Sequence, residues 1–117
     1  MSGLEIERFD GVPVARAHDD IDAANARAVR DELTGCVGSA ARLVIDLSET
    51  RYVDSAGIDM LFRLNELLRQ RRVEMVLVIP AGSQLHRLAE IVALPEAIAI
   101  HETVEQALGA CSQRSGA

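Results

Sequence analysis

The 117-residue chain has no lysine, no tryptophan and only two cysteines. Without lysine, Schiff-base chemistry and the lysine-dependent phosphate chemistry of P-loop enzymes are excluded, because both need that amine. Cys36 and Cys111 provide neither a disulfide framework nor a metal-ligand spacing, and both fall on apolar helical positions as reduced packing residues. His18, His86 and His101 are singles without a zinc pattern. No apolar run approaches the roughly 18 residues that a membrane span requires, and the N-terminus has neither the basic start nor the apolar core of a signal peptide. A soluble, cytoplasmic protein without membrane insertion is therefore expected. Acidic residues outnumber basic ones 18 to 12, a net charge of −6. That balance argues against nucleic-acid binding, which needs a clustered basic surface. Arg69, Arg71 and Arg72 form the one basic cluster, and it reads as a solvated helix end favoured by the helix dipole.

What is present is an apolar content of 49%, enough in this length for one domain with a core and too little chain for two. The stretch from Leu43 to Leu68 organises it. Leu43-Val44-Ile45 is a continuous apolar run, as in a strand covered on both faces, and it ends in the polar group Asp46, Ser48, Glu49 and Thr50. Tyr52-Val53 leads into Asp54-Ser55-Ala56-Gly57, where Asp54 or Ser55 can cap a helix running to about Arg72. Ser55 thus stands at a helix N-terminus beyond the carboxyl end of a buried strand, where open α/β sheets meet ligands and partners. Along that helix Gly57, Ile58, Leu61, Leu64 and Leu68 share one side, with Phe62 on one margin and Met60 and Leu67 on the other. The arc is wider than packing on a sheet requires, so the marginal residues are expected to meet a neighbouring helix or a partner.

Elsewhere, Leu4 to Phe9 and Val12 to Ala17 flank Asp10-Gly11, a strong hairpin signal. Pro13 should leave one side of the second strand unpaired near its start. The acidic loop Asp19, Asp20 and Asp22 follows, with Asp22 expected as N-cap of a helix burying Ala26, Val29, Leu33 and Val37, closed by Gly35 and Gly38. Val73 to Ile79 reads as a strand. Ser83 caps a helix with an apolar face of Leu85, Leu88, Ala89 and Val92, and Leu94-Pro95 stops it. Ala97 to Ile100 reads as a last strand. Thr103 and Gln106 then form a capping box for a helix burying Val104, Ala107, Leu108 and Cys111, and the tail 112–117 is expected to fray. The order implies an α/β fold with about four helices and a mixed sheet, antiparallel at the hairpin and parallel afterwards.

Asp46-Leu47-Ser48 followed by Tyr52-Val53-Asp54-Ser55-Ala56-Gly57-Ile58 resembles the signature of STAS domains, specifically the anti-sigma factor antagonists. The resemblance covers about residues 4 to 111. It implies that Ser55 is phosphorylated by an anti-sigma factor that is also a serine kinase and dephosphorylated by a PP2C-type phosphatase. The unphosphorylated form would bind the anti-sigma factor and free the sigma factor. His18 stands where the family commonly has glycine, and Ala56 where a second serine is common, which leaves Ser55 as the one acceptor hydroxyl of the motif.

The expected partner surface comprises Asp22, Asp54, Ala56, Gly57, Asp59, Met60 and Arg63 around Ser55, on a protein that is monomeric when free. Ser55 as a plain N-cap, and Asp46 and Asp54 as a carboxylate pair, are the alternatives from the residues themselves. An aspartyl-phosphate receiver is disfavoured because it needs a lysine. A non-catalytic STAS subunit of a stress-signalling or transporter complex would share the same core. The chain lacks a phosphate-cradling glycine loop and a Ser-His-Asp arrangement that spacing could support, so neither catalysis nor a cofactor is expected.

Overall fold

The computed structural model describes residues 3–109. It begins with β1 (Leu4–Phe9) and β2 (Val12–Ala17), paired antiparallel so that Phe9 faces Val12. Asp10 and Gly11 both take positive φ, 51° and 82°, as a two-residue turn matched to strand twist demands. Pro13 pairs only on the β1 side, and the parallel ladder from β2 to β3 (Arg42–Asp46) begins at Val14. β4 (Glu74–Val78) and β5 (Ala99–His101) complete a sheet of order β1-β2-β3-β4-β5.

Each parallel step moves one strand over in the same direction, and the fixed hand of such crossovers then puts the connecting helices on one face. These are α1 (Ala26–Val37), α2 (Ser55–Gln70) and α3 (Gln84–Ile91). They share one core with Ala15, Leu43, Ile45, Met75 and Leu77 of the strands. The opposite face, with Val14, Val44, Val76 and Val78, packs on Ala107 of a final helical segment, residues 104–109. β3 is therefore buried on both faces, which is why its sequence is an unbroken apolar run. Thr103 Oγ1 accepts from the Gln106 N–H, while Gln106 Oε1 accepts from the N–H of Glu102. Cys111 and the tail 112–117 lie outside the described residues, whereas Cys36 is half-buried against α1's own turn, with its thiol donating to the Leu33 carbonyl. Burial raises the pKa of that thiol.

Several boundaries differ from the sequence reading. α1 starts at Ala26, not behind Asp22: Asn25 holds the N-cap position without a side-chain cap bond. Asp22 instead heads the preceding turn, its Oδ1 accepting from the N–H groups of Ala24 and Asn25. Gly35 lies within the helix, and Gly38 alone closes it, at φ 57°. After α3 the chain forms a 3-10 turn at Leu94–Glu96 around Pro95 before β5, so the last strand starts two residues later than expected.

Met60 is the larger correction. It is only 6% exposed and belongs to the main core, because α1 packs along α2 and covers that margin. The wide apolar arc is satisfied by a neighbouring helix. Gly57 also points inward, and a Cβ built there would lie 2.5 Å from Val53 Cγ1 and 3.0 Å from the Ile21 carbonyl oxygen.

α2 ends in a Schellman closure, with Arg72 N–H donating to the Arg69 carbonyl and Val73 N–H to that of Leu68. Arg72 occupies the left-handed position at φ 61°, where any L side chain costs about 1 to 2 kcal/mol relative to glycine. A cation near a helix C-terminus returns about 0.3 to 1 kcal/mol. Arg69 lies in the last turn of α2, so the dipole alone does not account for arginine at position 72.

Gly57→Ala tests the close approach. Alanine gains at most about 1 kcal/mol of helix propensity, whereas overpacking against a backbone oxygen costs about 1 to 3 kcal/mol. With the full propensity gain the variant should still lose up to about 2 kcal/mol net in urea denaturation; a higher stability would show that the contact relaxes freely.

Candidate functional site

Two loops meet at the carboxyl ends of β2 and β3. Ile21 and Val53 form an isolated parallel bridge, with the Ile21 N–H donating to the Tyr52 carbonyl and the Asp54 N–H to that of Ile21. Asp20 Oδ1 accepts from the N–H groups of Arg51 and Tyr52. Thr50, buried, donates its hydroxyl to the Ala17 carbonyl.

Asp54 completes the junction. Its Oδ1 accepts from the Gly57 N–H at 2.9 Å and caps α2, while its Oδ2 accepts from the Ala23 N–H at 3.1 Å, in the turn leading to α1. The cap is thus Asp54, and Ser55 is the first helical residue. Ser55 is exposed, so its hydroxyl is presented to solvent instead of being consumed as a cap.

Asp46 does different work. Its side chain is 2% exposed, Oδ1 accepts from the Ser48 N–H, and Oδ2 accepts from Arg16 Nε at 3.0 Å. That pairing raises the Arg16 pKa, chiefly through the hydrogen bond to Asp46. Both carboxylates of the motif therefore hold backbone or guanidinium groups, as loop organisers do. Among the described residues, no group of three His, Cys, Asp or Glu side chains could hold a metal ion.

Beside Ser55, between α1 and α2, a depression of about 150 Å³ is lined by Ala26, Arg27, Arg30, Ala56, Asp59, Met60 and Arg63. It brings together the expected Ala56, Asp59 and Arg63, with Met60 as buried floor. Asp59 and Arg63 pair at 2.7 Å and are both well exposed. Gly57 is not part of this surface, and Asp22 is tied into the α1 turn. Arg27 and Arg30 escaped the sequence reading. Their spacing of three on the polar side of α1 was the available signal, but only the packing of α1 on α2 carries them to Ser55. Tyr52 and Ile91, both exposed, line a separate hollow of about 320 Å³ with Leu88, Arg51 and Arg87.

His18 bridges two carboxylates, Glu49 at 2.8 Å from Nδ1 and Glu5 at 3.3 Å from Nε2. Its pKa is raised above 6.5, first by the hydrogen bond with Glu49, against desolvation, with Glu5 adding to the rise.

A family model described as the STAS domain matches residues 3–107, and the chain belongs to the STAS domain family. A Bordetella bronchiseptica protein named as an anti-sigma factor antagonist, BtrV, is 32% identical over 75 residues, which span 63% of this chain and 65% of that relative. The solved structure of an anti-sigma factor antagonist from Mycobacterium paratuberculosis superposes with a TM-score of 0.79 at 26% identity, covering 92% of this chain and 91% of that one. SpoIIAA in its unphosphorylated form superposes with a TM-score of 0.70 over 97% of this chain and 99% of its own, at 13% identity, a likeness of fold. Among the described residues, no helix is long and apolar enough to cross a membrane.

Removing both Asp54 bonds in Asp54→Ala should cost about 1 to 3 kcal/mol in urea denaturation, the sum of a cap and a second loop bond. Amide exchange should accelerate at Ala23 and Gly57 together; acceleration at Gly57 alone would show that the two loops are not joined through this carboxylate. For His18, a raised folded-state pKa means that the clasp contributes fully below pH 6.5 and is lost as pH rises through the raised value. Imidazole titration by NMR should give a pKa above 6.5 that falls towards it in Glu49→Gln; an unchanged pKa in that variant would remove Glu49 as the cause.

Proposed function

We propose that the protein is an anti-sigma factor antagonist whose unphosphorylated form binds an anti-sigma factor that is also a serine kinase, freeing a sigma factor. Phosphorylation of Ser55 switches this binding off, and a PP2C-type phosphatase restores it. The observation that carries the reading is the exposed Ser55 at the first position of α2, with the cap already occupied by Asp54. A phosphate there adds about −1.5 to −2 charges without displacing the cap. The new charge lies beside Asp54 and next to Asp59 on the outer face of α2. It leaves the fold intact and repels a partner shaped for the neutral serine.

The partner contacts the Ser55 end of α2 and the facing surface of α1. Ala56 supplies a small apolar contact, Arg27, Arg30, Asp59 and Arg63 supply orientation, and Asp54 holds the two loops in register. The domain works by binding and has no catalysis of its own, which agrees with both motif carboxylates being engaged by Arg16 and by backbone N–H groups.

Incubation with the cognate kinase and ATP should add one phosphate, mapped to Ser55 by mass spectrometry and absent in Ser55→Ala. Labelling at Ser48 or Thr50, or labelling that persists in Ser55→Ala, would overturn the assignment. In calorimetry Ser55→Ala should still bind, while Ser55→Asp should bind more weakly. Arg27→Glu with Arg63→Glu should lose about 1 to 3 kcal/mol of kinase affinity at unchanged thermal stability; unaltered affinity would move the interface away from the α1–α2 face.

A further inference from the structure

We propose that the end of the domain opposite Ser55 carries a binding site for a small, multiply charged anion, an organic phosphate or a polycarboxylate. The amino ends of β3 and β4, the last turn of α2 and the segment entering β5 surround a concavity of about 560 Å³, whose walls include Arg42, Asn65, Arg69, Arg72, Glu74 and Ala97. Such a volume lies within the usual range of small-molecule sites. It exceeds the depression beside Ser55 more than threefold.

The charge there runs against that of the molecule. Three arginines face one carboxylate, in a chain where acidic residues outnumber basic ones 18 to 12. Arg42 and Glu74 stand opposite each other in register and pair at 2.6 Å, so they largely cancel. Arg72 remains as the uncompensated positive charge, and Arg69 beside it is held only by a long, exposed ion pair with Glu66 at 3.6 Å, weak enough for a bound anion to compete with. Arg72 forms no side-chain hydrogen bond or ion pair among the described residues. Its backbone holds the left-handed position that glycine fills at least cost. The fold thus places a guanidinium at the rim of the concavity against its own conformational preference, for a return from the helix dipole that is smaller than the cost of the left-handed position. Strained positions of this kind cluster at functional sites.

The ligand class follows from the chemistry of the walls. Two planar guanidinium groups present paired N–H donors that match the oxygens of phosphate or carboxylate groups. Asn65, 7% exposed and held by its amide donating to the Ala97 carbonyl at 3.2 Å, gives the wall a fixed polar group. The concavity is open to solvent, and its basic groups are confined to one short stretch, which favours a small anion over an extended acidic protein segment that would need a longer basic track.

The test is an NMR titration of the full chain near neutral pH with pyrophosphate, with citrate, and with sodium chloride at matched ionic strength. The expected result is saturable shifts with a Kd of about 1 mM or tighter, confined to amides of residues 41–42, 65, 69–75 and 97–99. Response to pyrophosphate alone narrows the ligand to phosphates, and response to citrate alone narrows it to polycarboxylates. Arg72→Gly should weaken binding about tenfold or more while melting at or above the parent temperature, which separates loss of the site from loss of the fold. Shifts that grow linearly with salt, that gather instead at Arg27, Arg30 and Arg63, or that persist in Arg72→Gly would overturn the proposal. So would binding of an acidic peptide at these amides with no response to either small anion.

Discussion

The carboxylate of Asp54 joins two loops that come from different crossovers of the sheet. One oxygen ends the chain of unsatisfied N–H groups at the start of α2, and the other holds the turn that leads into α1. Each bond is modest, about 0.5 to 1.5 kcal/mol, but they share one rigid side chain. Displacing either loop therefore disturbs the other. Ser55 owes its orientation to this arrangement: because its neighbour caps the helix, its own hydroxyl is left free. The parallel bridge between Ile21 and Val53, and the inward-facing Gly57 that lets those side chains approach, complete the junction.

The strand order shapes what kind of site this can be. Open α/β sheets form a ligand crevice where the strand order reverses, and the order β1-β2-β3-β4-β5 has no reversal. The carboxyl-end loops consequently enclose no crevice, and the neighbouring surface between α1 and α2 holds only a shallow depression of about 150 Å³. A shallow charged surface suits the docking of a macromolecule better than the enclosure of a substrate. The larger concavity lies at the other end of the same helix, α2, whose 16 residues put the two ends about 24 Å apart.

Arginine supplies every basic side chain other than histidine. In an acidic molecule, arginines cluster at the α1–α2 face and at the C-terminal end of α2, with Arg51 and Arg87 at the hollow beside Tyr52 and Arg16 engaged by Asp46. The guanidinium fork keeps its charge at any physiological pH and donates in fixed directions. Positive charge is therefore delivered at defined positions in a molecule whose net charge is −6.

The local chemistry was legible from the chain alone. Asp10-Gly11 dictates a tight hairpin, the unbroken Leu43-Val44-Ile45 run dictates a strand buried on both faces, and Asp54-Ser55 followed by an apolar period of 3.6 dictates a helix capped by one of the two, which the structure resolves as Asp54. These depend on interactions within a few residues, or on which face of an element is apolar. What covers each face was decided only in three dimensions. The periodicity of α2 put Met60 on a margin, but the approach of α1 buried it and brought Arg27 and Arg30 to the site in its place. Gly57 read both as part of the apolar side of α2 and as part of the partner surface, and the close approach of Val53 and of the Ile21 carbonyl oxygen, 36 residues earlier, left only the first. Arg72 read as one more charge on a solvated helix end, until the strands entering beside it made it part of the rim of a concavity. Periodicity records the amphipathic character of a single element, whereas burial is set by contacts between residues distant in the chain, which no local pattern encodes.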